Sequence, residues 1–394
     1  MIPRLRAEFN KHFTDKKYRL FLRRLDALCG CHVEFRVSET PLFIPSSLMQ
    51  TMEQAGKEII VQLVENAEYQ KLATAMIPPE FNVPCESPRP LFAAVDFGLV
   101  SDGEGSIVPR LIEMQGFPSL FGFEPVQSQL YKEVYDLPSE LRYLLGGLDL
   151  EGYDALLRKA ILGNHLPENV ILMELDPDKQ KTRPDFILTE RLCGIETVNI
   201  RDIIKEGRRL FYMKDGKKML VARVYNRAIV DEVVKSAPVL RFSFRDELDI
   251  EWAGHPNWFF RMSKFTLPYL KHSTVPRTMF LDEMVHLPDD LQNYVLKPLY
   301  SFAGSGVIVG PTRGEVDAVP PLRRHEYILQ EKVEYAPVVN APPGATKAEV
   351  RIMFIWLDQL RPVMNLVRMG RGKMMGVDYN KNLTWVGSSS GLCV

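Results

Sequence analysis

Apolar side chains recur at helical spacing through Leu48, Met52, Ile59, Ile60, Leu63, Val64 and Leu72, and Pro78-Pro79 closes the pattern, which predicts helices over 47–76. Residues 1–30 mix Phe13, Leu20, Phe21 and Leu25 with Arg and Lys, the pattern of an amphipathic helix docked on the body of the protein. The period then changes. Residues 91–97 read as a strand, Ser101-Asp102-Gly103-Glu104-Gly105 as a turn and 107–113 as a second strand, giving a hairpin with acids near its strand ends.

Residues 170–175 form an apolar run, followed by a helix-compatible stretch through Leu192, then Gly194 and a short strand over 196–200. This strand, helix, strand unit has the length of a parallel crossover and predicts a Rossmann-like lobe. Its first strand runs into Asp176-Pro177-Asp178-Lys179-Gln180 instead of a Gly-x-Gly-x-x-Gly turn, which argues against a dinucleotide site there. A strand over 220–227 ends in polar groups, with Arg183, Asn226 and Arg227 as candidates to bind a substrate carboxylate. Strands at 294–297, 327–330 and 351–357, with hairpin partners at 307–309 and 363–368, make the C-terminal third mostly antiparallel sheet. The expected class is α/β, shading into α+β, with lobes over 1–160, 161–245 and 246–394.

Composition narrows the function. At 394 residues, 46% hydrophobic and 25% charged, the chain has the make-up of a globular protein with a packed core. Lys and Arg number 49 against 50 Asp and Glu, so no global field attracts nucleic acid or an anionic membrane surface. Five cysteines form no disulfide framework, no apolar run reaches the length that spans a bilayer, and no signal-peptide core follows Met1. The expectation is a cytoplasmic protein with no nucleic-acid or membrane partner; its oligomeric state is left open. Cys29-Gly30-Cys31-His32 has no second pair of ligands at a useful spacing, so zinc is not expected there, and none of the seven histidines is assigned to catalysis.

The candidate chemistry lies further on. Lys297 closes an apolar strand and is followed by a small-residue turn containing Ser301, Gly304, Ser305 and Gly306. Such a turn lets backbone N–H groups converge on phosphate oxygens, because glycine removes the Cβ that would block the approach. No Gly-Lys-Ser/Thr follows, so this is not the Walker sequence, and a plain hairpin with an exposed lysine is the alternative. Upstream, a helical start over 258–268 carries Lys264, a second cation for an extended triphosphate. Downstream, Gln330-Glu331-Lys332-Val333-Glu334 leaves a buried strand abruptly for charge. A strand end of this kind offers Gln330, Glu331 and Val333 to read adenine with backbone groups and to take ribose hydroxyls with a carboxylate.

In that order, Ser263-Lys264, Tyr294-Val295-Leu296-Lys297 with its Gly-rich loop, and Gln330-Glu331-Lys332-Val333 resemble the ATP-grasp superfamily. Asp96-Phe97, Leu111-Ile112-Glu113-Met114-Gln115 and Pro118-Ser119-Leu120 are similar to the run that precedes the lysines in circularly permuted ATP-grasp ligases, typified by the synthetase domain of glutathionylspermidine synthase. The resemblance implies two sheets clamping ATP, Mg²⁺ on Asp96, Glu113 and Gln115, phosphates on Lys264 and Lys297, and Arg368, with Arg351, near the transferred group. It implies an ADP-forming ligase joining a small-molecule or peptide carboxylate to an amine through an acyl phosphate. Alternatives are a phosphotransferase on the same fold and a non-catalytic ATP-binding protein. Two carboxylates and an amide oxygen are the hard donors that Mg²⁺ prefers, and positions 113 and 115 share one face of a strand. Three positions depart from the family pattern: Gln115 replaces Asn, Ala94 replaces an Arg, and Phe302-Ala303 replaces an Arg-Glu pair. A rival metal set is Glu349 with Asn380 or Asn382, and Met369 to Met375 is either a lid over the site or an ordinary loop.

Overall fold

A computed structural model describes residues 1–300 and 306–394. It is a mixed α/β protein built on several sheets. The largest sheet has six strands, drawn from residues 92–115 and from residues 339–389. Its main path runs Gly387–Ser389, Leu360–Gly370, Gly344–Trp356, Phe92–Ser101, Ile107–Gln115, all antiparallel, with Val339–Ala341 pairing off this path. The hairpin legible near residue 100 is therefore welded to strands some 250 residues later, in register Asp96 with Arg351.

The helix Ser46–Glu65 packs on one side of this sheet, burying Leu48, Met52, Ile59, Ile60 and Leu63. Gly56 is what allows the close approach: a Cβ there would lie 2.7 Å from the ring of Phe354. The N-terminal region forms two helices rather than one, Pro3–His12 and Asp15–Cys29. Thr14 caps the second by accepting from the Lys17 N–H, and Phe9, Phe21, Leu25 and Cys29 are buried in the same core.

A second sheet carries the crossover expected from the sequence. Val170–Glu174 leads through the helix Arg183–Cys193 to Glu196–Asn199, and the two strands pair in parallel. The spatial order Glu251–Ala253, Arg223–Asn226, Val170–Glu174, Glu196–Asn199 is parallel throughout. It has its own apolar cluster around Ile171, Met173, Val198 and Val224. A third, antiparallel sheet holds Thr278–Phe280, Tyr327–Glu331, Tyr294–Pro298 and Ile308–Val309 in that order. Leu281, Leu296, Val316 and Leu329 pack behind it. Among the described residues no helix is long and apolar enough to cross a membrane.

Candidate functional site

The third sheet and the six-stranded sheet face each other across a cavity of about 740 Å³. On the six-stranded sheet Glu349 and Arg351 sit two apart on one strand, Arg368 lies opposite Glu349 on the next, and Glu113 and Gln115 sit two apart on the edge strand; all five line the cavity. Lys264, at the start of the 3-10 segment Lys264–Tyr269, and Lys297 come from the other wall, together with Gln330, Glu331, Lys332 and Val333.

Lys297 is 7% exposed. Its Nζ donates to Gln330 Oε1 at 2.5 Å and to the Ile112 carbonyl at 3.2 Å, so it ties the two walls together. Burial, and then the nearby Lys264 charge, bring its pKa down to about 8 despite the pull of Glu113 and Glu349.

Behind the cavity wall lies a charge lattice. Asp96 is fully buried; its Oδ1 accepts from Arg351 Nε at 2.6 Å and its Oδ2 from the other prong of Arg351 at 2.7 Å. Arg368 donates to the same Oδ2 and contacts Glu349 Oε1 at 2.7 Å. Glu349 Oε2 accepts from the Tyr335 hydroxyl at 2.5 Å. Gly98 makes room for this contact, since a Cβ there would lie 2.8 Å from the Tyr335 ring. Burial opposes ionisation of Asp96, but the two guanidiniums overcome it and hold its carboxyl below the usual range. Burial pushes the Glu349 carboxyl up, against the pull of Arg368. Burial also works against charge on Arg368, and Glu349, Asp96 and Glu113 more than compensate, keeping it firmly protonated.

Of the site residues expected from the sequence, Glu113, Gln115, Lys264, Lys297, Gln330, Glu331, Val333, Arg351 and Arg368 line one cavity. Asp96 does not reach the cavity; it sits behind Arg351 and Arg368. Gly306, at φ +72°, packs near Pro298 and is not part of the lining, while Ser301, Gly304 and Ser305 lie outside the described residues. In the rival metal set Glu349 lines the cavity, but Asn380 is buried in the loop it organises. Its side chain accepts from the Arg371 and Gly372 N–H groups and donates to the Met374 and Gly376 carbonyls, and Asn382 is exposed elsewhere. That loop does contribute to the cavity wall through residues 373–379, and Asp378 within it pairs with Lys181 at 2.8 Å.

The three residues offered for a substrate carboxylate do not line the cavity. Arg227 is 2% exposed, donates to the Pro118 carbonyl, lies 3.6 Å from Asp185 and stacks between Phe117 and Phe186. Asn226 accepts from the Ala228 N–H, and Arg183 pairs with Asp178 at the surface. Asp185 itself was not legible as functional or structural. It accepts from the N–H groups of Leu120, Gly122 and Phe123 and so fixes the turn that follows the hairpin.

The fit of Mg²⁺ to the expected trio fails on chemistry. Both oxygens of Asp96 are taken by guanidiniums, Gln115 turns its amide nitrogen toward Glu113 Oε1 at 3.4 Å, and only Glu113 offers a carboxylate to the cavity from that set. Among the described residues no group of three or more His, Cys, Asp or Glu side chains is arranged to hold a metal ion.

The fold and site define a mixed α/β protein with a large basic-lined cavity between two sheets. The chain is similar in fold to a glutathione synthetase-like effector from Globodera pallida, solved in its apo form, with a TM-score of 0.61 and 14% identity over 91% of this chain and 90% of that one. At that identity the likeness shows the fold alone. No protein-family model matches the sequence, and no curated protein does.

Proposed function

We propose that the chain is an ATP-grasp-type ligase that joins a carboxylate to an amine with ATP. The observation that carries this reading is the convergence of Lys264, Lys297 and the Gln330–Val333 strand exit on one cavity with Arg351 and Arg368. The fold likeness to a glutathione synthetase-like protein supports it. In the proposed reaction a donor carboxylate oxygen attacks the γ-phosphorus and the bond to the β–γ bridging oxygen breaks, releasing ADP. The amine nitrogen then attacks the acyl carbon, loses a proton, and phosphate departs with the electron pair of the carbon–oxygen bond.

No side-chain nucleophile is required; catalysis is positioning and neutralisation of developing charge. Lys264 and Lys297 hold the phosphates, the 330–333 backbone seats adenine, and Arg351 and Arg368 face the transferred phosphoryl group. Asp96 is not among the cavity-lining residues and acts only through Arg351 and Arg368. The reading is tested by screening amino acids, short peptides and polyamines for ADP release accompanied by amide formation. A second reading, a nucleotide-binding protein without turnover, is favoured by the same engaged oxygens of Asp96 and Glu349. Saturable ATP binding with no ADP release across the whole screen would select it.

A further inference from the structure

We propose that the cavity takes a nucleotide polyphosphate directly on its basic side chains, without a bridging divalent ion, the Arg351–Asp96–Arg368 fork supplying the positive charge that Asp96 as a metal ligand would have recruited. This rests on the nucleotide reading above and adds to it the ionic form in which the ligand is bound.

Three observations lead there. First, eight Lys and Arg side chains line the cavity against five Asp and Glu, so the wall is cationic before any metal is added. Second, every oxygen of the two buried acids is already engaged: Asp96 by both prongs of Arg351 and by Arg368, Glu349 by Arg368 and the Tyr335 hydroxyl. A cation entering at Asp96 would have to displace a bidentate guanidinium and leave that guanidinium buried and uncompensated. Third, the buried lining atoms that have no hydrogen-bond partner among the described residues are Gln330 Nε2, Tyr300 Oη, Arg368 Nε and Ser388 Oγ. Each can donate a hydrogen bond and none is a carboxylate oxygen. The wall thus has spare donors for an anion and no spare buried carboxylate oxygen for a metal.

The placement of the fork follows from register. Arg351 lies directly across from Asp96 on the neighbouring strand, close enough for its fork to meet the carboxylate edge to edge. Arg368, whose side chain lines the cavity, reaches the same carboxylate from the next strand, while its buried Nε has no hydrogen-bond partner among the described residues. An approaching phosphate oxygen therefore meets a guanidinium already oriented by two carboxylates.

The test is calorimetric titration of the full chain with ATP in EDTA and in excess Mg²⁺. The expected result is an affinity that differs by less than about threefold between the two buffers, whereas a site built on carboxylate-held Mg²⁺ loses most of its affinity in EDTA. In Arg351→Met the metal-free affinity is expected to fall by about tenfold or more, the scale of one charge-assisted contact, and Mg²⁺ to restore part of it because one edge of Asp96 becomes available. Arg351→Lys, which keeps a charge but has no fork, serves if the Met variant does not fold. Wild-type binding that requires Mg²⁺ overturns this inference and leaves the nucleotide reading standing. Failure to bind ATP in either buffer overturns the nucleotide reading itself.

Discussion

Replacing Lys297 with Met separates what the cavity needs for folding from what it needs for binding. Burial lowers the Lys297 pKa from 10.5 to about 8, a difference that corresponds to about 3 kcal/mol held against the folded state when the amine is charged. Below pH 8 the lysine is protonated in both states and this penalty is full. Between about 8 and 10.5 the unfolded chain keeps a proton that the folded chain has released, so rising pH favours the fold through this window. Met is close in volume and carries no charge, but it leaves Gln330 Oε1 and the Ile112 carbonyl without their donor, a loss of about 1–3 kcal/mol. The variant is therefore expected to be as stable as the wild type or up to about 2 kcal/mol more stable at pH 7, and less stable than the wild type at pH 10.5. Chemical denaturation of both proteins at the two pH values reads the difference directly, since titrations elsewhere cancel. ATP affinity should fall about 10- to 100-fold in the same variant, the loss of one charge-assisted hydrogen bond. A stability difference that does not change between the two pH values would refute the claim that Lys297 is desolvated, and unchanged ATP affinity would remove it from the phosphate site.

Three further outcomes are expected. Asp185→Ala removes the acceptor of three backbone N–H groups and leaves Arg227 buried without its carboxylate, and should destabilise the fold by about 3–5 kcal/mol in denaturant titration. Gly98→Ala forces the Tyr335 ring away from Glu349, because the new methyl would lie 2.8 Å from it. It should destabilise by about 1–3 kcal/mol, while Tyr335→Phe, which removes only the hydroxyl, should cost about 1 kcal/mol; equal effects would mean that ring packing plays no part. Lys181→Ala breaks a pair more than half exposed on both sides and should change stability by less than about 1 kcal/mol; a larger loss would show that the 373–379 segment depends on this pair.

Local pattern made the elements legible, but it could not say which strands would be neighbours. Alternation put 113 and 115 on one face of a strand, and both line the cavity, as do Glu349 and Arg351 on another strand. What alternation does not carry is lateral register. Asp96 stands two strands from Arg368 and one from Arg351, across sequence separations of 272 and 255 residues, and those neighbours decide whether its carboxylate is a free ligand or half of an ion pair. The same gap explains Arg227: a strand-end arginine reads equally well as a substrate contact or as the partner of a buried acid, and only the helix that brings in Asp185 distinguishes the two. Asn380 was visible as a candidate ligand because its residue type offers an oxygen, yet a loop with four backbone groups to satisfy used that amide first. In each case residue type announced the chemistry, and the unmet hydrogen-bonding needs of distant backbone and side chains chose where it was used. The buried donors of the lining residues Arg368, Gln330, Tyr300 and Ser388 that have no partner among the described residues are for that reason the most informative atoms of the site.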